Sequence, residues 1–133
     1  MALDQSGSKL ALLTRTSSEN FLRLYEAQNS KMSRSTSHTV TLMPSQVHGL
    51  PLEVSTAAFS PDGIYIAVAR RDNRTHVYDS RYLDRLLYDF RHSGRSRASP
   101  GHDSYGVTQV EWTQSPLTNS LGLITGGMDG MYI

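Results

Sequence analysis

Two pairs of aromatic residues mark a long internal period. Tyr25 and Tyr78 are 78 − 25 = 53 residues apart, and Phe59 and Trp112 are 112 − 59 = 53 residues apart. A period of this length constrains the fold more than any single motif, because each copy must be a supersecondary unit that buries its faces against its neighbours. The middle copy shows what that unit is. Ser60-Pro61-Asp62-Gly63 is a tight turn: Pro presets φ, Asp bonds the local backbone, and Gly at the last position relieves crowding. STAAF (55–59) precedes it and IYIAVA (64–69) follows. Ile64, Ile66 and Val68 fall on one side of the second run, and Tyr65, Ala67 and Ala69 on the other. Both sides are apolar, so both require a covering layer. Arg71-Asp72-Asn73-Arg74 supplies a second turn, THVYD (75–79) a third strand, and YLDRLLYDF (82–90) a fourth.

Four antiparallel strands per period predict an all-β fold, an incomplete β-propeller made of four-stranded antiparallel blades. The approximate repeats are 1–43, 44–92 and 101–133, the last truncated before its third strand is complete. Two and a half blades do not close a propeller, so the expectation is a piece of a larger one, or self-association through its open edges.

Composition narrows the chemistry. With 38% hydrophobic and 19% charged residues and a net charge of +1, the chain reads as globular. It has no cysteine, which removes disulfides, thiolate metal sites and cysteine nucleophiles. No apolar run approaches the length of a membrane span, and the N-terminus lacks the pattern of a secretory signal. The expected location is intracellular, cytoplasm or nucleus. His38, His48, His76, His92 and His102 are scattered without zinc-site spacing, and no G-x-S-x-G occurs. GLITGGMDG (122–130) lacks the Lys and helix of a phosphate loop. No cofactor, metal or catalytic residue is expected. Asn73-Arg74-Thr75 is a glycosylation sequon, read as incidental in a tight turn.

These motifs together resemble the WD-repeat β-propellers. Phe59-Ser60-Pro61-Asp62-Gly63, Asp72-Asn73 and Tyr78-Asp79 match the family pattern in the middle repeat. Gly101-His102, Trp112, Thr125-Gly126 and Asp129-Gly130 match it in the third, with His and turn Asp 129 − 102 = 27 residues apart. Asn20 and Tyr25-Glu26 fit the first repeat more weakly. Departures are the two Tyr in place of Trp, His48-Gly49 in inverted order, and Val68 where Ser or Thr is usual. The resemblance implies a structural hydrogen-bonded tetrad, with His102, Thr125 and Asp129 as three members. It implies a non-catalytic protein–protein interaction scaffold. Two alternatives are nucleic-acid or chromatin-associated binding through the Arg-rich loop face, and a hydrolase-type enzymatic propeller.

Strand order assigns the loops to two faces. Joining four antiparallel strands a to d puts the a–b and c–d loops on one face and the b–c and d–a loops on the other. The second face is expected to gather Arg70, Arg71 and Arg74 with Arg95 and Arg97, a basic surface for acidic or phosphorylated protein segments. Eight of thirteen basic residues lie between Arg70 and Arg97. Ser99-Pro100 is a candidate phosphorylation site beside them. Residues 28–39, rich in Ser and Thr, read as a c–d loop insertion on the opposite face.

Overall fold

The structure is a computed structural model that describes residues 1–28, 31–32, 35–45, 51–92 and 106–127, with the backbone alone at Gln28 and Lys31. The described residues form β-strands in three antiparallel sheets. In the first, β1 (Ala2–Leu3) pairs with β2 (Lys9–Thr16), β2 with β3 (Glu19–Gln28), and β3 with β5 (His38–Thr41). The far end of β3 also pairs with β4 (Lys31–Met32). The segment expected to be a c–d loop insertion at 28–39 is thus partly strand: β3 runs on to Gln28, and Ala27 and Gln28 pair with Met32 and Lys31.

The second sheet is the expected four-stranded meander, β6 (Val54–Phe59), β7 (Tyr65–Arg70), β8 (Arg74–Asp79) and β9 (Tyr82–Arg91), in sequence order. Gly63 takes φ of 71°, and its N–H donates to the Ser60 carbonyl at 2.9 Å. Asp62 Oδ1 accepts from the Ile64 N–H at 3.0 Å, so turn residues satisfy the backbone at the corner. The third sheet pairs β10 (Val107–Gln114) with β11 (Leu121–Gly127).

The middle sheet is packed on both faces, as its two apolar sides require. Ile66, Val68 and Tyr78 join Ala11, Leu22 and Leu24 of the first sheet in one core. Ala67, Ala69 and Val77 join Val107 and Val110 of the third sheet in another. Side chains such as Ile66 and Leu22, wholly withdrawn from water, each stabilise the stack by about 1.5–3 kcal/mol. Small residues on the second face leave a slot for an indole. Trp112 stacks on Tyr65 with centroids 6.0 Å apart and donates its Nε1–H to the Ala58 carbonyl at 3.0 Å. The sheets therefore stack face to face in chain order, as propeller blades do.

Candidate functional site

Turns on each face are bonded to one another. On one face Ser80, after β8, donates its N–H to the Ile64 carbonyl at 2.7 Å and its hydroxyl to the Gly63 carbonyl at 2.8 Å. On the other, Asn73 between β7 and β8 accepts from the His92 N–H at 2.9 Å and donates its amide to the His92 carbonyl at 2.7 Å. That amide is the acceptor nitrogen of the sequon, and here it is held inside the turn. Arg71 donates its N–H to the Glu53 carbonyl at 2.9 Å. A Cβ on Gly106 would lie 2.2 Å from the Arg71 Cα, so the chain entering β10 rests directly on the same turn.

Beneath this turn lies a buried polar chain. Arg70 and Asp72 form a two-point ion pair, Nε to Oδ1 at 3.0 Å and Nη2 to Oδ2 at 2.6 Å, with side chains 0% and 1% exposed. Arg70 Nη2 also donates to the Pro44 carbonyl at 2.8 Å, and Nη1 lies 3.2 Å from His76 Nδ1. A guanidinium only donates, so His76 Nδ1 accepts and its proton sits on Nε2. That nitrogen is 3.3 Å from Asp89 Oδ1, and Asp89 Oδ2 accepts from Arg74 Nη1 at 2.7 Å. Burial, then the Arg70 charge, lowers the His76 pKa against the opposing pull of Asp89 and Asp72. Burial pushes the neighbouring Tyr78 hydroxyl up to about 12.

This arrangement corrects the expected basic surface. Arg70 is not on it: β7 alternation and the Asp72 carboxylate draw the guanidinium wholly inside. Arg71 is half-exposed and paired with Glu53 at 2.7 Å, and Arg74 is paired with Asp89. Arg95 and Arg97 lie outside the described residues, as do His102, Asp129 and Ser99. Of the tetrad residues, Thr125 is described, and it is buried opposite Val110. Asp62 and Gly63 make the expected corner, Tyr78 is buried in the first core, and Asp79 is bonded by Arg81 through both carboxylate oxygens. The Arg81 hydrogen bond holds the Asp79 carboxyl below its ordinary value. Sequence reasoning missed His76 and the structural role of Arg70. The available signal was alternation: 66, 68, 70 and 76, 78 fall on one face of adjacent strands, so a charge there needed an interior partner.

The same face carries an open cleft of about 370 Å³ between the first and middle sheets, lined by Leu13, Arg15, Asn20, Glu53, Val54 and Arg71 among others. Asn20 fixes its wall by donating its amide to the Leu52 carbonyl at 3.0 Å. Among the described residues no group of side chains is placed to hold a metal, and no helix is long and apolar enough to cross a membrane.

The family model of the WD domain, G-beta repeat, matches residues 44–79, which hold β6, β7, β8 and the turn beneath which the polar chain lies. Among solved structures, the chain is similar to the Dos1 propeller, with a TM-score of 0.69 and 21% identity over 98% of this chain. This chain spans 28% of that one. No curated protein matches the sequence. The fold is therefore that of an incomplete β-propeller of four-stranded antiparallel blades, and within it residues 44–79 match the WD-repeat pattern.

Proposed function

We propose that the chain is a non-catalytic protein-interaction scaffold within the cell, and that its partners engage the face carrying the β2–β3 and β7–β8 turns. One observation carries this reading: the β7–β8 turn of the WD repeat is braced from below by the Arg70–Asp72 pair and from the side by His92 and Gly106. A surface held this rigidly presents its side chains at low entropic cost to a partner. The pairing of Arg71 with Glu53 and of Arg74 with Asp89 takes support away from nucleic acid, which needs a run of uncompensated cations. It suits a protein partner of mixed charge.

Site-specific photocrosslinking tests the face. A crosslinker at exposed Ser18, in the β2–β3 turn, is expected to capture discrete proteins in cells. One at exposed Arg81, on the opposite face, is not. Capture from position 81 alone would reverse the assignment, and capture from neither would remove it.

A further inference from the structure

We infer that the cleft between the first and middle sheets is a subsite for an acidic peptide segment of a partner protein, taking one carboxylate side chain and an aliphatic neighbour. The inference rests on the scaffold reading and names what one part of that face would recognise. The floor is apolar: Leu13 and Val54, each partly buried, close the edge of the core beneath. The rim is ionic. Arg15 is exposed and pairs with no carboxylate among the described residues, while Arg71 stands across from it in a pair with Glu53.

Among the described lining residues, two guanidinium groups and one carboxylate leave one formal positive charge, which a single carboxylate neutralises. A volume of about 370 Å³ lies at the small end of ligand sites, roughly 300–1,000 Å³, and matches two side chains rather than a folded surface. The Arg71 and Glu53 side chains are 40% and 47% exposed, so their pair is weak and open to exchange. An incoming carboxylate thus meets Arg15 directly and competes with Glu53 for Arg71. Glu53 sets a threshold: it keeps Arg71 compensated until a ligand carboxylate arrives.

A fluorescein-labelled peptide of sequence Ala-Glu-Leu-Ala, blocked at both ends, is titrated into the full chain and followed by anisotropy. Arg15→Gln is expected to weaken binding and Glu53→Gln to strengthen it, each by about fivefold, the scale of an exposed charge contact. Both effects should shrink in about 0.5 M salt. The Ala-Gln-Leu-Ala peptide should not bind. Equal binding of the Gln peptide, or no response to either substitution, overturns the proposal. Binding of a phosphoserine analogue with none of the Glu peptide overturns it as well, since a dianion would then be the ligand. Arg15 is exposed, so its substitution leaves the fold intact. Crosslinks from Ser18 that persist in Arg15→Gln would separate failure of this subsite from failure of the scaffold reading.

Discussion

The Arg70 guanidinium and the Asp72 carboxylate meet through two bonds, at 3.0 and 2.6 Å, entirely out of water beneath the β7–β8 turn. Removing one member strands the other charge. Asp72→Ala is expected to cost about 3–5 kcal/mol, while Arg70→Met with Asp72→Leu should cost markedly less. Urea denaturation of the full chain and both variants checks this; a double variant as unstable as the single would show that losing the Arg70 contacts to Pro44 and His76 costs as much as stranding the charge.

His76 makes stability depend on pH in a defined window. Its folded pKa is depressed below 6.5 by burial and by Arg70, with Asp89, Asp72, Arg74 and Tyr78 also facing it. Below 6.5 the unfolded chain takes up a proton that the folded chain refuses, so stability falls as pH drops through that value and levels off below the folded pKa. Asp4 and Asp79, whose folded pKa values lie under 3.8, act only at lower pH. Unfolding midpoints between about pH 8 and pH 5 should therefore slope in the wild type and flatten in His76→Gln. Equal slopes would place His76 in contact with water.

Gly106 must lack a side chain because Arg71 backbone occupies the space, with Cα at 2.2 Å from a would-be Cβ. Gly106→Ala is expected to destabilise by about 1–3 kcal/mol through overpacking against backbone that cannot retreat. Gly122→Ala is the comparison: its Cβ would crowd the Thr113 methyl, at 2.9 Å, and reach backbone, the Thr113 oxygen, only at 4.0 Å, so a smaller loss is expected. Thermal melts in which the two variants match would contradict the close approach.

Trp112 is the single tryptophan, and it reports on the contact between the third and middle sheets. Trp112→Phe keeps a ring over Tyr65 but removes the Nε1–H bond to the Ala58 carbonyl, which keeps its ladder partner Ala67, at a cost of about 0.5–1.5 kcal/mol. In the otherwise native chain, Gly106→Ala should shift Trp112 emission to the red at lower urea than the loss of β-sheet signal. Coincident transitions would show that the third sheet does not part from the middle one separately.

What was legible in the sequence was whatever is coded by short-range pattern. The Ser60–Gly63 corner is written in residue types that satisfy their own backbone, and β7 announced two covered faces by having apolar residues at every position from Tyr65 to Ala69. Strand order alone fixed which turns share a face, and the Ser80–Gly63 and Asn73–His92 bonds follow from it. The fate of the arginines was only partly legible: alternation puts Arg70 on a covered face, but whether a guanidinium can stay there depends also on partners brought together by folding. Arg70 is interior because Asp72 lies beside it in the turn and the Pro44 carbonyl, 26 residues away, arrives at the same point. His76 looked like an ordinary strand residue for the same reason. Local chemistry determined the strands and corners of this protein; long-range juxtaposition decided which charges are structure and which remain at the surface to meet a partner, since burial of charge is favourable only where three-dimensional packing supplies the compensating group.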